Sequence, residues 1–325
     1  MKDLRKPPFA KAGDTVGIYS PSSGIEPGLE ANYERGKKLL LDRGYRIREA
    51  PHTRDWEAHY SSDGPSKAGD LMDLLRDPAV KVVLPTVGGV TAYQLLQHLD
   101  YETIRELPPK LLFGFSDNSL QACVVHDKTG LVTFHGHSDV VFGLGDLVDE
   151  EKMKGFSRHG AYTSSQFFDA LEGRLRPGPV VTATPWRVLR AGSAEGRLVG
   201  GNLDVLQILR GTPYELDWAD TIFFWEAAFV ELHRVDLMLA SLALSGILGQ
   251  IRGMVVGKGA NLEESFFADK HESMDQMILR HCASYDFPIV VDADIGHDME
   301  CCMLPIGVRA RMEGDALSIL ESPYA

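Results

Sequence analysis

The chain has 325 residues, 44% hydrophobic and 24% charged, with four cysteines and a formal net charge of −13. That length fits about two globular domains, while scattered glycine and proline and the lack of any CxxC pair exclude collagen-like, low-complexity, disulfide-framework and zinc-ribbon chains. The negative charge disfavours nucleic acid and anionic lipid as bulk partners, no apolar run approaches the ~20 residues of a spanning helix, and the start MKDLRKPPFAKAGDT lacks the apolar core of a signal peptide.

Thr15–Ser20 reads as a first strand ending in a Ser/Pro/Gly loop. Leu29–Arg43 has a helical pattern closed by Gly44. Tyr45–Glu49 is a short strand, and Ser66–Arg76 an amphipathic helix followed by Pro78. Val80–Pro85 is a buried strand running into Thr86-Val87-Gly88-Gly89, and Thr91–Leu99 is predicted helical. Leu111–Phe115 is another buried strand, entering Ser116-Asp117-Asn118-Ser119. Helix Leu120–Lys128 and strand Leu131–Phe134 follow. This alternation predicts parallel βαβ units with right-handed crossovers.

From Phe142 to Pro185 the rhythm breaks. The stretch holds acidic Asp146–Glu151, a helix near Ser164–Leu171 and the run Arg176-Pro177-Gly178-Pro179, and it reads as a connector between two lobes. Beyond it, a Gly200-Gly201-Asn202 turn is predicted to open a helix to Leu209. Strand Thr221–Trp225, helix Val230–Ser245 stopped by Gly246, strand Ile251–Val256 and helix Ser273–Ala283 come next. Short strands Ile289–Val291, Cys302–Leu304, Val308–Met312 and Ala316–Leu320 complete a lobe expected to be α+β or barrel-like. No internal repeat is present. The four cysteines read as free thiols in a reducing, cytoplasmic compartment.

Ligands of open α/β sheets sit at the carboxyl ends of strands, and the chemically interesting residues fall there. Ser116 lies on a sharp turn between a buried strand and a helix. This placement is similar to a nucleophile elbow, although Asn118 stands where hydrolases carry a second glycine. The same serine would serve equally as a helix N-cap. The Asp117 amide and the Gly88-Gly89 pair could supply N–H donors to an oxyanion, or Gly88 and Gly89 could form a plain tight turn. Glu226 ends the apolar run Phe223-Phe224-Trp225, and His297 follows Gly296 after a short apolar strand. Serine, glutamate and histidine supply the nucleophile, orienting anion and base of covalent amide hydrolysis. A rival is His135-Gly136-His137, whose HxH spacing suits a divalent metal; its bland alternative is a loop lining the site floor. Trp186 at the connector could stack on a planar base or pack in the core.

The runs VGGVTAYQLLQHLDYETI, KLLFGFSDNSLQ and KTGLVTFHG resemble the LD-carboxypeptidase family of serine peptidases, as do GRLVGGNLDVLQILRGTPYE, FFWE and PIVVDADIGHDMECCMLPIGVRARME. The resemblance spans Ala12 to Glu313. It implies an α/β fold: a Rossmann-like parallel-sheet lobe over residues 1–165 and a smaller β-rich α+β lobe over 166–325. By motif match the family nucleophile falls on Ser116, its glutamate on Glu226, its base on His297, and its oxyanion donors on the Gly89 and Asp117 amides, with Gly88 and Trp186 expected against substrate. No cofactor or metal is implied, and the usual state is a cytoplasmic homodimer. One branch of the family trims the terminal D-alanine from murein tetrapeptides. The other, the microcin C immunity branch, cleaves the amide joining an aminoacyl or peptidyl group to a modified nucleotide. Trp186 and the chain length lean the expectation toward that second branch. Two departures bear on specificity: Ala227 replaces the acidic residue that commonly follows the glutamate, and Asp298-Met299-Glu300 replaces an uncharged stretch.

Overall fold

The computed structural model describes residues 3–141, 161–259, 272–297 and 300–325. The acidic stretch Asp146–Glu151 and the residues Asp298 and Met299 lie outside them.

Two sheets organise the chain. The first contains β1 (Thr15–Tyr19), β2 (Arg46–Glu49), β3 (Val80–Pro85), β4 (Leu111–Gly114) and β5 (Thr133–His135), mutually parallel in the order β5-β4-β3-β1-β2. Its crossovers include α1 (Glu30–Asp42), α2 (Gly64–Arg76), α3 (Tyr101–Glu106) and α4 (Asn118–Thr129). Strands β3 and β4 are apolar apart from Lys81, as strands covered by helices on both faces of a parallel sheet are. Helix α4 is buried on nearly every face, since it packs on β4 and on the second sheet. Gly130 in a left-handed conformation ends it.

After α5 (Ala161–Leu171) comes the second sheet. Its parallel centre is β8 (Ser193–Asn202), β9 (Thr221–Glu226), β10 (Gly253–Gly257) and β11 (Ile289–Ala293). Antiparallel β7 (Arg187–Arg190) extends one edge, and β13 (Arg309–Glu313), β14 (Ala316–Ile319) and β6 (Gly178–Pro179) extend the other. Helices α6 (Leu203–Leu206), α7 (Leu232–Leu244) and α8 (Met274–His281) join its strands. This eight-stranded sheet is open, with β6 and β7 at its edges, so the barrel-like alternative gives way to a mixed sheet. Among the described residues no helix is long and apolar enough to cross a membrane.

Three local expectations change. Gly200-Gly201-Asn202 is not a turn but the end of β8, paired with Phe224, Trp225 and Glu226. The glycines mark close approach rather than reversal: a Cβ on Gly200 would lie 1.7 Å from the Phe224 carbonyl oxygen, and one on Gly201 2.6 Å from Ser119 Oγ. The predicted helix at Thr91–Leu99 is a 3-10 helix over Ala92–His98. The strand expected near Cys302 is β12 (Leu304–Ile306), which pairs with β5 and extends the first sheet rather than the second. The C-terminal part of the chain therefore stitches the two sheets together.

Candidate active site

Strand β4 delivers Ser116 through Phe115. The serine holds φ +54°, a left-handed conformation that costs a non-glycine residue about 1–3 kcal/mol. Its backbone is braced by the next helical turn, where the Ser119 amide (3.0 Å) and hydroxyl (2.7 Å) both donate to the Ser116 carbonyl. Gly88 packs directly on the serine, and a Cβ there would lie 3.0 Å from Ser116 Cβ and 3.1 Å from Oγ. Gly89 follows with φ +144°, its backbone tight against Ser22 and Ser23.

The second sheet supplies the facing groups. Glu226 ends β9 with no solvent exposure. Asn202, at the end of β8, donates its amide to Glu226 Oε1 at 2.8 Å. Oε2 lies 2.9 Å from His297 Nδ1. Burial would raise the Glu226 carboxyl, but His297 charge and the hydrogen bonds from His297 and Asn202 outweigh it and hold the group below its ordinary range. Gly296 (φ +110°) makes room: a Cβ there would lie 2.7 Å from Glu226 Cβ and 3.0 Å from Oε2.

His297 completes the line, with Nε2 3.0 Å from Ser116 Oγ. Its ring sits against Phe115 (4.6 Å between centroids) and edge-on to Phe229 (5.5 Å). His137 braces the loop from below, its Nε2 2.9 Å from the Gly296 carbonyl oxygen. With Nδ1–H donating to the glutamate, Nε2 presents its lone pair to the serine hydroxyl. A serine, an imidazole and a buried carboxylate in one hydrogen-bonded row can move a proton off Oγ and stabilise the imidazolium that results.

The structure thus brings Ser116, Glu226 and His297 together, with Gly88, Gly89 and Asp117 alongside, although 181 residues separate Ser116 from His297. Trp186 has a different partner. That indole is buried, and its N–H points at Asp294 Oδ2 (3.3 Å), whose carboxylate also takes the Ala183 and Thr184 amides, the Thr184 hydroxyl and Lys258. The HxH histidines also part ways. His137 meets Gly296, whereas His135 lies within the core between Phe115 and Phe224. Among the described residues no three His, Cys, Asp or Glu side chains are grouped to hold a metal ion. Ala227 is buried, and Glu300 stands 3.5 Å from the Thr163 hydroxyl. Sequence reasoning missed Asn202, Ser119 and Phe229. Asn202 carries a signal in the glycine pair before it, whose composition is that of a turn.

Residues 16–136 match the model of the LD-carboxypeptidase N-terminal domain and residues 195–312 that of the LD-carboxypeptidase C-terminal domain. A putative carboxypeptidase of Bacillus subtilis, YocD, is 30% identical over 93% of this chain and 94% of its own. The probable murein peptide carboxypeptidase of the same organism is 29% identical over 98% and 94%. The microcin C7 self-immunity protein MccF of Escherichia coli is 24% identical over 94% and 92%. A structure of MccF in complex with glutamyl sulfamoyl guanosine shares the fold, with a TM-score of 0.86 at 20% identity over 99% of this chain and 100% of that one. With both domain models matched in order and relatives aligned over nearly their whole length, the chain belongs to the LD-carboxypeptidase family and is a serine-type carboxypeptidase, a hydrolase.

Proposed function

We propose that Ser116 is the nucleophile, His297 the general base and acid, and Glu226 the anion that orients the base, in hydrolysis of an amide in a small substrate. One observation carries this reading: the unbroken row Glu226 Oε2, His297, Ser116 Oγ at 2.9 and 3.0 Å. Ser116 Oγ attacks the carbonyl carbon while its proton passes to His297 Nε2. Charge develops on the carbonyl oxygen, where the Gly89 and Asp117 amides donate to it. Collapse breaks the C–N bond as His297 gives its proton to the leaving nitrogen, and the acyl group stays on Ser116. Water, deprotonated by His297, then releases the acid and restores the serine.

For the substrate we propose the amide between an aminoacyl or peptidyl group and a modified nucleotide. Support comes from the whole-chain likeness to MccF, which has been solved with glutamyl sulfamoyl guanosine. A second reading, release of D-alanine from a murein tetrapeptide, is favoured by a specific observation. The Trp186 ring expected to stack on a base is buried, with its N–H engaged by Asp294. The 29% identity to a probable murein peptide carboxypeptidase points the same way.

One paired assay tests both, with murein tetrapeptide and aminoacyl-sulfamoyl adenosine offered separately and products read by mass. Cleavage of the nucleotide conjugate supports the first reading, and cleavage of the tetrapeptide alone replaces it with the second. Turnover surviving in Ser116→Ala, or lost on EDTA treatment, would reject the serine mechanism itself. We further place the protein in the cytoplasm as a homodimer, and sedimentation at micromolar concentration checks the assembly.

A further inference from the structure

Asp117 begins α4, where an aspartate ordinarily caps its own helix by accepting from an amide one turn on. It makes no such bond. The side chain turns away instead, is 1% exposed, and its Oδ2 takes the Ser22 hydroxyl at 2.5 Å and the Ala92 amide at 2.7 Å. Ser22 Oγ in turn accepts the Thr91 amide at 3.2 Å. A carboxylate withdrawn from its own helix and from water, then given to two other segments, must return a comparable benefit elsewhere.

What it reaches is the segment after β3. Its start is tied to α4 by the Asn118 amide on the Val87 carbonyl (3.0 Å) and to the loop after β1 by the Ser23 amide on the Gly88 carbonyl (3.1 Å). Its far end is held at Thr91 and Ala92 by Ser22 and Asp117. Beneath it the fully buried Lys67 gives its ammonium to Thr91 Oγ1 and Gln94 Oε1, both at 2.9 Å. From Gly88, whose carbonyl is the last of the first ties, the chain runs through Gly89, which holds no shape by itself, and the exposed Val90. Gly88 touches Ser116. A two-glycine segment that abuts a nucleophile keeps an N–H aimed only if both of its ends are fixed.

We propose that the Asp117 side chain is a positioning residue: by fixing Thr91 and Ala92 to the nucleophile turn, it keeps the Gly89 amide directed at the oxyanion. The inference rests on the serine mechanism proposed above and adds a role to a residue that otherwise contributes only its backbone. Ser22 is the intermediary and Asn118 the second tie.

The test uses the full chain and the substrate turned over in the paired assay, together with a peptidyl aldehyde built on that substrate's acyl group. The aldehyde adds to Ser116 Oγ, and its carbonyl oxygen becomes the oxyanion. Asp117→Ala should lower kcat about 100- to 1000-fold, as loss of an oxyanion donor does, with KM within about threefold, and should weaken the aldehyde by a like factor. Asp117→Asn keeps an acceptor and should lose only about tenfold, as should Ser22→Ala. The inference is overturned if folded Asp117→Ala retains wild-type kcat and aldehyde affinity, or if its loss lies in KM alone. If Asp117→Ala does not fold, the same outcomes in Asp117→Asn and Ser22→Ala decide it. Turnover persisting in Ser116→Ala would sink the underlying mechanism instead, a result separate from any of these.

Discussion

The two sheets contribute to the site by different means. On the first, the Ser116 hydroxyl is placed by short-range chain geometry: a buried strand, one left-handed residue, and a helix whose first turn braces that residue from three positions away. On the second, His297 and Glu226 are placed by packing between strand ends that are distant in sequence, with Asn202 from β8 and Gly296 from the loop after β11 closing around the carboxylate. A local turn can be strained and still hold, because few atoms define it. The Glu226 carboxylate has a partner on each oxygen, and an oxygen left without one there would cost about 1–3 kcal/mol. Loss of the Ser116 hydroxyl should therefore read out in rate alone, and damage to the groups around Glu226 in rate and stability together.

The largest expected effect is Ser116→Ala, which removes the oxygen 3.0 Å from His297 Nε2. Turnover should fall by about 10⁶, to what binding and the oxyanion donors alone supply. Thermal unfolding should be unchanged or slightly raised, because the strained residue has lost its polar side chain and nothing else. Next is Glu226→Gln. The neutral side chain can no longer stabilise the imidazolium and can favour the wrong tautomer, a defect worth about 10⁴ in kcat. Asn202→Ala sharpens the comparison most. It touches neither substrate nor base, yet it deprives Glu226 Oε1 of its donor. It should cost about 2 kcal/mol of stability and a smaller rate loss of about tenfold, whereas Ser116→Ala leaves Tm where it was. Equal stability losses in those two variants would erase the distinction between the sides.

The same distinction governs what the amino-acid sequence disclosed. Ser116, Glu226 and His297 were legible because each follows an apolar strand beside a turn or glycine, a pattern written within six residues. The βαβ alternation of the first sheet was legible for the same reason. Features set by distant partners were not. Strand β12 has the length and polarity of any short strand, and only its pairing with β5, some 170 residues upstream, assigns it to the first sheet. Gly200 and Gly201 have the composition of a turn, and only the approach of Phe224 and Ser119 shows them to be a strand packed too tightly for a side chain. Whether Trp186 stacks on a ligand or packs in the core was open from the sequence, because its hydrogen-bond partner, Asp294, lies 108 residues away.

The smallest expected effect on rate concerns the seam between the sheets. His135 ends β5, fully buried, with its ring 5.5 Å from Phe115 and 5.1 Å from Phe224 of β9. Burial pulls its pKa down to about 4, against the opposing pull of the Glu226 charge, with His297 adding to the lowering. In the unfolded chain the same imidazole titrates near about 6.5. Between these values the unfolded chain holds a proton that the folded one refuses, so stability is complete above about 6.5 and declines as pH falls toward about 4. Across that window the loss approaches about 3 kcal/mol. Glu226 acts in the same direction but lower down: its depressed carboxyl loses its contribution only as pH falls below the ordinary carboxylate range and through its folded value. The two are separable by urea unfolding at pH 7 and pH 5. His135→Phe fills the same aromatic slot without a titrating group and should flatten the difference between those two midpoints while leaving kcat near wild type. A variant whose midpoints differ as much as the parent's would show that the acid sensitivity arises elsewhere, and the seam would then be held by packing alone.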